Sequence, residues 1–396
     1  MKFDENILER LRVNLNGENG GLIIRSGLGH DNAAEYSFGI EEEYFLADAS
    51  TLEVATQTPN ELFEAGSFST GGQAMREMLQ AQIEVATNIH VDANDAFEEL
   101  KFLRREVAAV AGRYGLAIMA SGTHPTAAWP HSRPTPKARY ENMIKDLGTI
   151  GHRNMLCGMH VHVQMRDVEK RFAVMRAMIP FLPLFIALSA SSPFWSSRDT
   201  GLRGYRLAAY DELPRTGLPE LFEGKADYDA YVTALVNSGV MPDETHIWWA
   251  MRPSFRHPTI ELRAPDVCTR LEDAVLIACL YRSLVRYLCE RPGLAEDVTV
   301  VDRAIAVENK WRAQRYGTEC VFATKSGGVS IKEMLSNVIE RVSNDAAALG
   351  CLAQVERCRQ ILVRGGSADS QRTVYQRSGN DLEAVTRWIA EQTVAG

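Results

Sequence analysis

Positive charge is not in surplus. Forty-three Lys and Arg face fifty-one Asp and Glu, a net charge of -8 that argues against a general nucleic-acid binder while leaving room for a locally basic pocket. There is no C-x-x-C pair, and the seven cysteines are odd in number and dispersed, which fits reduced thiols in the cytoplasm better than a disulfide framework. The opening MKFDENILERLRVN lacks the apolar run of a secretory signal. No apolar stretch is unbroken over a bilayer's thickness. The longest, around 175–190, holds Pro180 and Pro183 with Arg176 near its start, so it reads as a buried core segment and no membrane is expected. Neither G-x-x-x-x-G-K-[ST] nor a G-x-G-x-x-G opening a βαβ unit is present, which removes the two commonest nucleotide cradles.

What is present is a repeated design of ionic strand faces. FGIEEEYFLAD (38–48) places three glutamates between apolar and aromatic residues. Read at period 2, Glu41, Glu43 and Phe45 share one face, and Ile40, Glu42, Tyr44 and Leu46 the other. GMHVHVQM (158–165) sends His160, His162 and Gln164 one way and Met159, Val161 and Val163 the other. TIELRAPD (259–266) separates Glu261 and Arg263 from Ile260 and Leu262. Unpaired charge on a sheet is costly to desolvate, so bound cations and a polyanionic substrate are the natural compensation.

Between these strands, 73–90 reads as a helix whose apolar stripe is Met75, Met78, Leu79, Ile83 and Ala86. Glu77 and Glu84 lie two turns apart on it, and Glu84 is either a solvated glutamate or a ligand beside the stripe. Further helices are expected over 1–16, 95–114, 137–151, 171–190, 228–238, 270–289, 301–317, 331–350, 355–364 and 381–393. Thr51–Val54 and Glu61–Glu64 read as short strands, 116–120 and 246–256 as strands, and the Gly/Asn-rich 16–29 as a loop or a flap. His124, before Pro125, either binds substrate or fixes a turn, and 129–136 reads as an irregular segment or lid. SSPFWSSRDTGLRGYR (191–206) resembles a binding loop, its Arg198, Arg203 and Arg206 suited to carboxylate or phosphoryl groups or to surface ion pairs. Asn309, Arg312 and Arg315 share a helix face that either reaches substrate or is merely solvated, and GGSADSQRTVYQR (365–377) reads as a loop near the site or a connection. No boundary interrupts the composition, so one catalytic unit over 1–396 is expected.

Glu41, Glu43, Glu84, His160 and Glu261 form the candidate metal set, with Glu43 and Glu261 also expected to serve catalysis. So many carboxylates with one imidazole suit Mg²⁺ or Mn²⁺, whereas H-x-H alone also fits zinc or a core histidine pair. Arg263, beside Glu261, is placed to neutralise phosphoryl charge. A carboxylate attacking ATP's terminal phosphoryl group would give an acyl phosphate, which an amine then converts to an amide.

These motifs, with SGTHP (121–125) and ENKWRAQRYG (308–317), closely resemble the carboxylate-amine ligase family known as glutamate–cysteine ligase type 2 over nearly the whole chain. The resemblance implies an α+β, glutamine-synthetase-like fold, a curved antiparallel sheet forming a catalytic funnel with helices outside and Mg²⁺–ATP inside. It implies that Glu41 and Glu43 are first-strand metal ligands, His160 the metal histidine, Glu261 the acid before the phosphate-facing Arg263, and Glu84 a helical acid. His162 is then expected to meet nucleotide or amino-acid substrate. Arg198, Arg203, Arg256 and Arg315 are the pool for the substrate carboxylate. The implied reaction joins L-glutamate and L-cysteine through a γ-glutamyl phosphate, with ADP and phosphate released and homo-oligomers possible. The alternatives are a ligase of other substrates, a guanidino kinase, a metal-dependent hydrolase or a noncatalytic binding protein.

Overall fold

The structure is a computed structural model that describes residues 34–127, 130 and 132–395. The helix expected over 1–16, the connection after it, Trp129 and His131 lie outside the described residues. The strands are β1 (Phe38–Asp48), β2 (Ala74–Arg76), β3 (Gln82–Ala86), β4 (Leu116–Met119), β5 (Met159–Gln164), β6 (Phe194–Trp195), β7 (Arg198–Asp199), β8 (Met251–Pro253), β9 (Thr259–Leu262), β10 (Val321–Thr324) and β11 (Gly327–Ser330). Seven of them form one sheet in the order β2-β3-β1-β5-β9-β8, with β4 added to β1 and every pairing antiparallel. Phe45 stands opposite both Gln82 of β3 and Met119 of β4, so β4 continues the edge that β5 occupies. The expected α+β architecture, an antiparallel sheet with helices around it, is what the chain forms.

β1 is the axis because its odd and even residues serve different tasks. Ile40, Tyr44 and Leu46 turn into the core with Val161, Val163, Ile260 and Leu262 from the neighbouring strands. Beneath them lies the Ala93–Arg113 helix, started by Asp92, whose side chain accepts from the N–H groups of Asn94 and Asp95. It buries Leu100, Leu103, Val107 and Val110, each contributing about 1.5–3 kcal/mol when taken from water. The chain leaves it through Gly115, whose φ of 70° a side chain would resist.

Glu42 also points into this core and is 0% exposed. Arg104 answers it with two hydrogen bonds of 2.8 and 2.6 Å, and Tyr44 Oη donates a third at 2.5 Å. The same guanidinium donates to the carbonyls of Cys268, Thr269 and Thr393, tying β1 to the loop after β9 and to the last helix, Leu382–Val394.

The Leu271–Cys289 helix is buried along nearly its whole length. The apolar stretch 168–189 is long and apolar enough to cross a membrane by composition, yet most of it is buried inside the protein. As its prolines foretold, it breaks at a 3₁₀ turn, Ile179–Phe181, between helices Val168–Met178 and Leu182–Ser189.

Six expectations are corrected. The 73–90 segment is a strand pair, not a helix. Its apolar spacing also fits alternation, with Ile83 and Val85 buried and Glu84 on the other face of β3, and pairing with the edge of β1 decides the outcome. Glu61–Glu64 lies in the helix Asn60–Ser69, and Thr51–Val54 is a turn with one bridge, Val54 to Ala47. Of 246–256 only Met251–Pro253 is strand. Most of 365–377 is the helix Ser367–Arg377, where Asp369 takes the Gly366 N–H. The 355–364 segment is two short helices, Leu352–Arg357 and Arg359–Arg364, meeting at Cys358.

Candidate active site

The sheet register stacks the ionic faces. In one row Met75, Glu84 and Glu43 are direct cross-strand partners. In the next, Ala86, Glu41 and His160 stand side by side. A third runs Gly39, His162, Glu261 and Arg252. Alternation along each strand puts all three rows on the sheet face away from the Glu42–Arg104 core, where they line one cavity.

Two groups of ligand atoms form there. Glu41, His160 and Glu261 each offer an atom within 4.8 Å of the others. His160 Nδ1 lies 3.0 Å from Glu41 Oε2, and its buried Nε2 has no hydrogen-bond partner. Burial and then Arg263 pull the His160 pKa down, favouring the neutral imidazole that a metal requires. His162 approaches Glu41 Oε1 at 3.4 Å, and its Nδ1 meets Thr259 Oγ1 at 3.0 Å. Burial lowers its pKa, but Glu41 and Glu261 outweigh that and raise it. Burial likewise opposes ionisation of Glu41, and His162 with His160 overcomes it, holding the carboxyl well below the usual range. Glu261 is clasped by Arg252, Nε to Oε2 at 2.7 Å, and also bonds Arg263 Nη1. Those guanidinium groups outweigh burial and keep Glu261 ionised.

The second group is Glu43, Glu77 and Glu84, again with ligand atoms within 4.8 Å of each other. Backbone N–H groups donate to it: Gly158 N to Glu43 Oε2 at 2.6 Å, and Met78 N to Glu77 Oε2 at 2.9 Å. Burial and the neighbouring Glu43 push Glu77 up to about 8. Burial, then Glu41, Glu77 and Glu43, raise Glu84 well above the carboxylate range. Three carboxylates this close are not all ionised without a counter-charge, and no arginine or lysine makes an ion pair with them among the described residues. An oxygen-rich set of this kind fits a hard divalent cation, and the open Nε2 of His160 fits one beside it.

The structure thus brings together Glu41, Glu43, Glu84, His160, His162, Glu261 and Arg263, with Arg256 also lining the cavity. It does not bring Arg198, Arg203 or Arg315 there. Arg198 is exposed on β7, Arg203 pairs with Asp369 at 3.1 Å, and Arg315 donates to the Gly201 carbonyl. Asn309 holds β10 through Ala323, and Arg312 donates to Val321 O. His124 is fully buried, 3.0 Å from Leu52 O, and burial lowers its pKa to about 4, so it fixes a turn. Glu77 is not in the expected ligand set although the helix expected over 73–90 sets it two turns from Glu84; the Q-I-E-V-A alternation of 82–86 signals β3 and the face of Glu84, and Glu77 enters from the turn after β2. Arg252 and Arg206, both lining the cavity, were also left out of the proposed ligands.

The profile of the glutamate–cysteine ligase family 2 (GCS2) matches residues 37–389. A Bradyrhizobium diazoefficiens protein provisionally named glutamate–cysteine ligase 2 is 67% identical over 386 residues, spanning 98% of this chain and 91% of its own. A Rhodospirillum rubrum protein of the same provisional name is 40% identical, spanning 91% of this chain and 96% of its own. The crystal structure of glutamate–cysteine ligase from Francisella tularensis in complex with AMP shares the fold at a TM-score of 0.65 and 13% identity, covering 92% of this chain and 90% of that one. A bifunctional glutathione synthetase from Pasteurella multocida does so at 0.66 and 14% identity, covering 91% of this chain and 51% of that one. The chain belongs to glutamate–cysteine ligase family 2 and is an ATP-dependent carboxylate–amine ligase.

Proposed function

We propose that this ligase joins the γ-carboxylate of L-glutamate to the amino group of L-cysteine. The observation that carries the reading is the pair of ligand groups on one sheet face, with Arg263 bonded to Glu261 of the first. Glu41, His160 and Glu261 would hold one divalent ion, and Glu43, Glu77 and Glu84 another. Mg²⁺, or Mn²⁺, supplies charge neutralisation for the phosphoryl group of ATP when bound there. A γ-carboxylate oxygen attacks the terminal phosphorus, the bond to the ADP oxygen breaks, and γ-glutamyl phosphate forms. The cysteine amine then attacks the acyl carbon, phosphate leaves, and the amine gives up a proton.

The chain's own part is to orient and to exclude water. Arg263, held by Glu261, presents its guanidinium to the transferring phosphoryl oxygens. Glu41 keeps His160 turned so that Nε2 faces the cavity. His162, cationic more readily than a free imidazole, faces the nucleotide or the amino-acid substrate. The name carried by the relatives supports the substrate pair; that the chain is one catalytic unit working in the cytoplasm belongs to the same proposal.

The test incubates purified protein with Mg²⁺, ATP, isotopically labelled glutamate and an amine panel that includes cysteine, read by mass spectrometry. ADP and γ-glutamylcysteine in equal amounts are expected. ADP-linked amide formation only with another donor or acceptor rejects the substrate pair and keeps the ligase. A phosphorylated guanidino compound without any amide rejects both.

A further inference from the structure

Among the described residues, Arg206 is a buried cation without an ion pair. Its side chain lines the cavity yet the residue is only 3% exposed. Nη1 donates to the carbonyls of Arg263, Ala264 and Pro265 at 3.4, 3.5 and 3.1 Å, and the guanidinium lies over the Tyr210 ring, 5.6 Å from its centroid. Its Nε is buried with no partner. Among the described residues no carboxylate forms an ion pair with it. Asp266 feels its charge, but Asp266 is already bonded to Ser191 N at 2.9 Å and Ser192 Oγ at 2.6 Å. By contrast Arg252 and Arg263, on the same cavity, both close on Glu261. A desolvated guanidinium in this state is stabilised by an incoming anion.

Its position says which anion. The guanidinium passes directly over Gly158, where a Cβ would lie 2.1 Å from Nη2 and 2.6 Å from Cζ. Gly158 N is the group that holds Glu43, one of the proposed ion ligands. Arg206 therefore stands at the edge of the acidic group, a side chain's reach from where a γ-carboxylate would be activated. A dicarboxylate can lie with its reacting end at the ions and its other end on this guanidinium.

We propose that Arg206 is the seat of the donor's non-reacting α-carboxylate, and that Gly158 is a glycine because any side chain would displace that seat. The assignment rests on glutamate being the donor. The helix Tyr205–Tyr210 delivers the residue, with Arg206 N bonded to Ser192 Oγ at 2.9 Å, so the guanidinium is pre-positioned before substrate arrives.

The test compares L-glutamate with 4-aminobutyrate, which keeps the reacting carboxylate and the amine but lacks the α-carboxylate. Mg²⁺-dependent ADP formation is measured on the full chain for wild type, Arg206→Gln, Arg206→Lys and Gly158→Ala. In the wild type glutamate is favoured over 4-aminobutyrate by about 10²-fold or more in kcat/KM. In Arg206→Gln that preference collapses through the KM for glutamate, while the KM for ATP and the rate with 4-aminobutyrate stay near wild type. Arg206→Lys recovers part of the preference, and Gly158→Ala loses it with Arg206 still present, which covers the case in which Arg206→Gln does not fold. Equal losses for both donors, or a rise in the KM for ATP of the same size, would make Arg206 a brace for 263–265 and overturn the assignment. Wild-type protein that forms no ADP with glutamate removes the donor reading and this assignment together; glutamate turnover with an unaltered preference in Arg206→Gln and Gly158→Ala removes this assignment alone.

Discussion

Glu41, Glu42 and Glu43 are consecutive carboxylates on one strand, 7, 0 and 8% exposed, and they meet opposite fates. Glu42 faces the core, where Arg104 and Tyr44 satisfy it permanently. Glu43, on the other face with Glu84 and Glu77 as neighbours, takes the Gly158 N–H, and among the described residues the ion pair given for it is to His160 at 3.9 Å. Burial alone therefore does not distinguish a structural carboxylate from a working one. The distinction is whether the protein supplies the counter-charge itself or leaves it to be supplied.

The sharpest way to break this comparison is to remove one partner on each face. Arg104→Met leaves Glu42 buried and uncompensated and should cost about 3–5 kcal/mol in urea unfolding, with no rescue by Mg²⁺. Glu84→Gln removes a repelling carboxylate, so the metal-free protein should be at least as stable as wild type at pH 8. A Glu84→Gln protein as destabilised as Arg104→Met would erase the distinction. In activity the order reverses: Glu84→Gln and Glu43→Gln should each lower Mg²⁺-dependent ADP formation by about 10²-fold while circular dichroism stays native. Normal ADP formation in both folded variants would remove these residues from the ion site.

A smaller effect separates the faces by pH. Glu77 sits at 4.5 when unperturbed and is pushed up to about 8 in the folded protein. The folded state therefore binds more protons than the unfolded state between those values, and metal-free stability should fall as pH rises through that window. Divalent ions should restore it most at the upper end, because they compete with those protons. Thermal midpoints at pH 5 and pH 8, with and without Mg²⁺, check this; an Mg²⁺ stabilisation that shrinks with rising pH would contradict it. The smallest effect is expected from Arg198→Ala. That side chain is exposed outside the cavity, so KM for either substrate should move by less than about 2-fold.

The faces of β1, β5 and β9 were legible because strand alternation is a local rule, and it sorted Glu41 and Glu43 from Glu42 before any contact was known. The β2–β3 pair was not, since Met75, Met78, Leu79 and Ile83 satisfy a helical stripe as well as a sheet edge. Glu77 joins the ligand group from the turn after β2, a placement that no local alternation signals. Arginines were the least legible of all. Arg198, Arg203, Arg206, Arg252 and Arg256 look alike in sequence, and only tertiary partners separate the clasp on Glu261 from the link to Asp369.

The central claim is that the cavity face holds divalent ions at two places. Mn²⁺ titration followed by electron paramagnetic resonance counts them directly. Wild-type protein should bind two ions per chain, Glu84→Gln should lose one of them, and Glu42→Gln, if folded, should keep both. No saturable binding in the wild type, or an unchanged count in Glu84→Gln together with Glu43→Gln, would contradict the account.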